Sequence, residues 1–318
     1  MKRTIYPMIS LFCLFIFSCS GKKAVTLKPS GFEQVTSAAV DIGDLRAVFI
    51  DNSEAGPDHR AGYNGISELR HTKEDSGIFV PFYAGFNLEH IFGGDSLTEL
   101  FEPRRNAMEL YRKNNHEILL YQESTPLSHV ESLTEFRVTD PHYIDVTFRC
   151  IIHDMSFFRH GVAGLFWASY IDRPDDKMIY FRGIEEGISD TSWISAFSPV
   201  HGFESTHRAV SDDHELFFAE NFNASLASHF SRYRFTESFF YGRYRKMALA
   251  YFFDSDEIIR FSQSPTGGGE TNPAWDFQYI IVEPEVNREY TFRARMMYKP
   301  FVSEEDIENE YNLWKENL

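Results

Sequence analysis

Residues 63–95 pack Asn64, Arg70, His71, Tyr83, Asn87, Glu89, His90 and Asp95 among aromatic side chains and five glycines. Polar tips on flat apolar walls suit a small polar ligand such as a sugar, because a few placed donors and acceptors orient it while the walls exclude water. The stretch therefore reads as the floor of a ligand site. Four other places could add to it: Arg182 before Gly183, His201 and Glu204 beside Gly202, the aromatic and basic run Tyr241 to Arg245, and the pair Trp275 and Asp276. A histidine near a carboxylate can pass a proton to or from a bound hydroxyl. His90, His201 and Asp276 are thus the candidate catalytic groups, with Glu89 and Glu204 as further carboxylates. Asn64, His71, Tyr83, Asn87, Arg182, Glu204, Tyr241 and Trp275 are the candidates for binding a substrate. If the substrate were acidic, Arg70, Arg182 and Arg243 could each pair with a carboxylate through two hydrogen bonds. Any one of these groups alone is more often a capped turn or a solvated charge. Together they predict a cleft gathering Asn64, His71, His90, Arg182, His201 and Asp276.

Other chemistries leave little mark. The twelve histidines and three cysteines form no His-x-x-x-His or Cys-x-x-Cys spacing, and no loop has the acidic rhythm of an EF-hand. No cofactor is expected, and a divalent metal such as calcium or zinc would have to be built from distant residues. Gly267-Gly-Gly269 has no lysine to close a phosphate loop and reads as a flexible loop over a site. No Gly-x-Ser-x-Gly elbow for a serine nucleophile exists.

These groups must be carried mainly by strands. Short runs such as Arg46–Ile50, Glu117–Gln122, Thr134–Val138, His142–His153, Gly164–Ile171, Lys177–Arg182, Met247–Phe253, Phe277–Val282 and Glu289–Tyr298 recur, many alternating apolar with polar residues as a strand with one buried face does. An aromatic share of 16% leans the same way. Helical periodicity is scarce: Leu97–Pro103 could start a helix that Pro103 ends, and residues 303–315 form a clearer one, capped by Ser303, with Ile307, Tyr311 and Trp314 on one face. No repeat or linker divides residues 41–300. The expected fold is all-β, a single large antiparallel β-sandwich over 41–318 with a short C-terminal helix.

A net charge of −16 argues against nucleic acid and against an anionic membrane surface as partners. Lys2 and Arg3 precede the apolar run Ile9–Phe17, which is too short to span a bilayer and reads as a signal peptide over residues 1–18. Ser18-Cys19-Ser20 closes it and resembles the lipobox of bacterial lipoproteins, which implies that Cys19 becomes lipid-modified after cleavage. Residues 19–40 then read as a tether, with order starting near Val40. The expected location is the bacterial cell envelope, lipid-anchored to the outer membrane and facing the periplasm, with surface display as the alternative. Only Cys150 remains inside the folded part, so no internal disulfide can form, and its place in an apolar run marks it as a buried small hydrophobe.

The order of segments resembles the galactose mutarotase-like β-supersandwich of sugar epimerases and glycan-degrading enzymes. It is also similar to lipoproteins that accompany bacterial sugar-degradation systems. The resemblance rests on the early stretch rich in Asn and His, the central Phe136–Phe148 run, and Pro273-Ala-Trp-Asp-Phe-Gln278 before the closing strands. It implies a carbohydrate ligand, with a histidine as acid and a carboxylate as base on the anomeric hydroxyl. Sugar epimerase, glycoside hydrolase and polysaccharide lyase chemistry are all compatible with it. The alternatives are a noncatalytic glycan-binding lipoprotein, which needs the aromatics but no tuned proton pair, and a structural envelope protein, which needs neither.

Overall fold

A computed structural model describes residues 26–53 and 62–318 of the chain. The expected signal peptide and Cys19 lie outside the described residues. The strands are β1 Glu33–Val35, β2 Ser37–Ile42, β3 Leu45–Ile50, β4 Gly65–His71, β5 Asn87–Phe92, β6 Met108–Arg112, β7 Glu117–Gln122, β8 Val130–Thr139, β9 Tyr143–Ile152 and β10 Val162–Ala168. They continue with β11 Ile179–Glu185, β12 Ser192–Ala196, β13 Thr206–Ala209, β14 Phe230–Phe235, β15 Phe239–Tyr244, β16 Met247–Ser255, β17 Ile258–Ser264, β18 Ala274–Val282 and β19 Glu289–Pro300. Two α-helices are described, α1 Glu102–Arg105 and α2 Glu304–Glu316. The fold is all-β, as the alternating sequence predicts.

Strands β2, β3 and β4 form a small sheet, and the other sixteen form one long ladder in which β13 and β14 are the one parallel pair among the described residues. The ladder folds over on itself. Strands β9, β19 and β16 face β17, β18 and β10, so that Phe148 packs edge-on against Trp167 at 4.8 Å and Phe253 meets Phe277 at 4.8 Å between ring centres. Alternation builds this core: β9 turns Ile144, Val146, Phe148 and Cys150 inward while Asp145, Thr147 and Arg149 stay half-buried. On the outer side of β15, β16 and β19 lies α2, its Ile307, Tyr311 and Trp314 buried against Phe239, Phe252 and Met297. Ser303 caps that helix by accepting the Asp306 amide.

Two expectations need correction. Order does not wait for Val40: the Leu27 amide donates to Glu131, and β1 pairs with β6. Pro103 does not end a helix begun at Leu97 but stands in the first turn of α1, where its missing N–H costs nothing.

Candidate functional site

Strand β18 turns Trp275, Phe277, Tyr279 and Ile281 into the core, which sends Ala274, Asp276, Gln278 and Ile280 to the opposite face. In β10 Leu165 and Trp167 point inward and Phe166 and Ala168 outward. On β5 the pairing slips between Phe166↔His90 and Trp167↔Leu88, so that Glu89 is an extra residue. Leu88 and Ile91 both reach the core, and Glu89 and His90, though consecutive, both line the outer face. Re-aiming a side chain is what a β-bulge does. The result is a cleft of about 660 Å³, its open mouth included, lined by Glu89, His90, Phe166, Tyr170, His201, Ser264 and Asp276 and walled by the turn Ser225–Ala227.

Glu89 is held from behind. Its Oε2 accepts hydrogen bonds from Asn87 Nδ2 at 3.0 Å, from Arg104 Nη1 at 3.4 Å and from the Tyr170 hydroxyl. Asn64 donates to Asn87 Oδ1 at 3.0 Å and accepts the Leu88 amide at 3.0 Å, while the Arg104 guanidinium lies 3.9 Å from the Tyr63 ring centre. With Oε2 so occupied, Oε1 is the oxygen that meets His90 Nε2, at 3.3 Å. Burial alone would push the Glu89 carboxyl up, but His90, Arg104 and Tyr170 together outweigh it and hold it down at about 2. Glu89 is therefore ionised. His90 Nδ1 lies 2.6 Å from the Leu100 carbonyl, which can only accept, so this nitrogen carries the hydrogen and the ring orientation is fixed.

Asp276 meets the opposite environment. It is 1% exposed, its Oδ1 accepts the Ser169 amide at 3.1 Å, and its Oδ2 is buried with no hydrogen-bond partner. Burial first, and the nearby Glu89 charge second, push its carboxyl well above the ordinary range and so favour its protonated form. His201 stands at the exposed rim with Nδ1 3.1 Å from Ser264 Oγ. Desolvation holds its imidazole below the ordinary value, and so neutral at pH 7. One cleft thus contains an ionised carboxylate, a carboxyl pushed towards its protonated form and two imidazoles. Environments that drive two carboxyls apart are the usual signature of an acid/base site.

The structure brings His90, His201 and Asp276 together, with Glu89 between them and Asn64 and Asn87 buried behind. Tyr83 packs tilted against Tyr63 and edge-on against Tyr170, at 4.7 and 5.1 Å between ring centres, under the Gly267–Gly269 loop. Gly268 has φ +90° there, and a Cβ on it would meet the Tyr83 ring at 2.9 Å, so no larger residue fits. The remaining predicted positions lie elsewhere. Trp275, next to Asp276, is turned into the core by strand alternation. Tyr241 is stacked between Tyr180 and Phe301 beneath α2, and Arg182 lies over Trp193 with Glu308 3.8 Å away. Glu204 pairs with Arg232, Arg70 with Glu68, and Arg243 covers Phe301, so none of these arginines reaches the cleft. Sequence reading missed Tyr170 and Arg104, whose roles come from the fold alone.

His71 joins a different group, with Asp44 and His142, whose nitrogen and carboxylate atoms lie within 4.8 Å of one another. This is the spacing of a distant-residue metal site. However, His71 Nδ1 accepts the Lys73 amide at 3.0 Å, so neutral His71 carries its proton on Nε2, the atom a metal would have to take. Ligating histidines instead donate from the nitrogen that does not bind. The donor set does not fit a resident cation.

No protein-family profile matches this chain, and no curated protein matches it by sequence. Among solved structures, an Escherichia coli K12 protein assigned as an aldose 1-epimerase is similar with a TM-score of 0.49 and 8% identity, over 84% of this chain and 99% of that one. The GalM/aldose epimerase homologue from C. elegans is similar with a TM-score of 0.47 and 9% identity, over 84% and 100%. The heparan sulfate lyase HepC from Pedobacter heparinus gives a TM-score of 0.42 and 12% identity, over 81% of this chain and 34% of that one.

Proposed function

We propose that the protein binds a carbohydrate in this cleft and processes it by acid/base proton transfer. The observation that carries the proposal is the split pair, Glu89 held down at about 2 and Asp276 pushed well above the ordinary range, flanked by His90 and His201 in one cleft. Asp276 supplies the proton to a sugar oxygen. His201, neutral and at the rim, accepts one from the hydroxyl or water on the other side. Glu89 is too weak a base to take a proton at neutral pH; it holds His90 against the Leu100 carbonyl and sets the negative field in which positive charge on the sugar ring is stabilised. Tyr170 and Phe166 provide the flat walls against which a pyranose can lie. Proton transfer of this kind serves epimerisation at the anomeric carbon, glycoside hydrolysis and lyase elimination. The class is separated by incubating the purified protein with reducing monosaccharides and with neutral and acidic oligosaccharides and following anomer exchange and product formation by proton NMR. Turnover of none of them would remove the enzymatic reading. The near-complete burial of Asp276 favours a second reading, noncatalytic glycan binding, which saturable binding without turnover would select.

The proposal extends to location. A basic start, the apolar run Ile9–Phe17 and Ser18-Cys19 support export and lipid attachment at Cys19, with the envelope, outer membrane facing the periplasm, as the place of action. Cys19→Ser should release the protein from the detergent phase, and its retention there would rule the anchor out.

A further inference from the structure

We propose that Arg208 and Arg260 form a binding site for an anionic group, a carboxylate or a sulfate, on the same face of the sheet as the cleft. Its place follows from the register. His90 pairs with Phe166, Phe166 with Gln278 and Gln278 with Arg260. β13 and β17 pair Thr206 with Ser262 and His207 with Phe261, which makes Arg208 and Arg260 the next opposed pair, and Arg208 is paired on its other side with Arg234. One cross-strand row thus runs from the catalytic cleft to three consecutive arginines. Residues opposed across a ladder share a face. Four strand spacings of ~4.8 Å separate Arg208 from His90, so the two lie ~19 Å apart along the row.

Charge in this row is unbalanced. Arg260, 0% exposed, gives Nε and Nη2 to Asp212 at 2.7 and 3.2 Å, and its Nη1 is buried with no partner. Arg234 is satisfied by the Asp212 carbonyl at 2.7 Å and by Asp213 at 3.2 Å. Arg208 is partly exposed and stacks 4.5 Å from the Phe230 ring centre, the same ring that the Arg260 guanidinium approaches to 5.0 Å. Among the described residues no carboxylate is in ion-pair contact with Arg208, which leaves it between two guanidiniums whose own acids are already engaged. Burial, then Arg234, and to a smaller extent Arg260 push its guanidinium down, with Asp212 and Asp213 pulling the other way. A fully buried guanidinium donor without an acceptor thus lies beside a partly exposed arginine that has no ion-pair partner among the described residues, in a chain whose net charge is −16. A carboxylate or sulfate, whose oxygens accept hydrogen bonds, supplies an acceptor to both guanidiniums, and the fork geometry of arginine suits it. If the cleft takes a sugar, an inference that rests on the proposed function, an extended acidic glycan could place its charged group here.

The probe that does not depend on the cleft is inorganic sulfate. On the full chain, millimolar sodium sulfate should raise the melting temperature more than sodium chloride of equal ionic strength, Arg208→Gln should abolish the difference, and Arg208→Lys should keep part of it. Equal sulfate stabilisation of wild type and Arg208→Gln, or none in wild type, overturns the site. In parallel, a glucuronate-containing oligosaccharide should bind the wild type at least about tenfold more tightly than Arg208→Gln, as loss of a charge-assisted hydrogen bond predicts, whereas its neutral counterpart binds both alike. A sulfate response that depends on Arg208, with no sugar bound by either protein, would uphold the anion site and sink the carbohydrate reading of the cleft. Acidic-sugar binding that is indifferent to Arg208 would do the reverse.

Discussion

Replacing Asp276 by Asn should raise stability and lower activity together. In the unfolded chain an aspartate titrates near 3.9, roughly its model-peptide value. In the fold, burial keeps the Asp276 carboxyl protonated well above that, so over this window the native state binds one proton more than the unfolded state. The sign follows: the contribution is fully present below about pH 4 and is lost as pH rises, at up to ~1.4 kcal/mol per pH unit, until the folded-state value is passed. Asparagine is nearly isosteric with the neutral acid, its side-chain oxygen can still accept the Ser169 amide, and it does not titrate. Towards neutral pH the variant should therefore gain stability over the wild type, and the gap should close by pH 4. Urea unfolding of both proteins at each pH from 4 to 8 measures it directly. If Asp276 donates the proton, turnover should fall by about two to four orders of magnitude in the same variant. Parallel stability profiles, or a variant less stable than wild type at pH 7, would refute the assignment of a buried neutral acid.

Glu89 should behave with the opposite sign. Its carboxyl is held at about 2 against an ordinary 4.5, so its contribution is present above 4.5 and is lost as pH falls from there towards 2. The lost stability is of order 3 kcal/mol, and Glu89→Gln should be the less stable protein at pH 7 with a flatter acid-unfolding profile. Equal acid profiles would contradict the network through Asn87, Arg104 and Tyr170. Trp314→Ala, which empties the contact of α2 with Phe252, should cost roughly 3–5 kcal/mol in urea unfolding while leaving ligand binding in the cleft unchanged below the melting range.

Strand alternation made most of the fold legible, because a period of two survives in any half-buried strand, and it also showed α2 through Ile307, Tyr311 and Trp314 and their Ser303 cap. It failed where both faces are covered. β5 and β10 are buried along their whole length, and β18 along all but its last residue, so nothing in their residues says which side each one faces. That is why Trp275 and Asp276 read as a pair although adjacent strand residues point to opposite faces, and why Glu89 and His90, which do share a face, owe it to a bulge that no local residue preference announces. Several polar residues of 63–95 lie in or behind the cleft, but their division of labour is not legible in the sequence. Asn64 and Asn87 are inside, supporting Glu89, and His71 belongs to the far group with Asp44 and His142. Tyr170 and Arg104 were invisible because a tyrosine in a strand and an arginine after a proline have many ordinary uses. Their meaning lies in contacts with Glu89 across 81 and 15 residues of sequence.

The central claim is that this cleft performs proton transfer on a sugar, and His201→Ala tests it most directly because the side chain is exposed at the rim and its loss leaves the core untouched. Initial rates of the wild type and the variant would be measured by proton NMR on whichever panel sugar the wild type turns over. The account predicts a fall of about two to four orders of magnitude in rate with a melting temperature close to that of the wild type. Turnover undiminished by His201→Ala, or a wild type that converts no sugar of the panel, would contradict it.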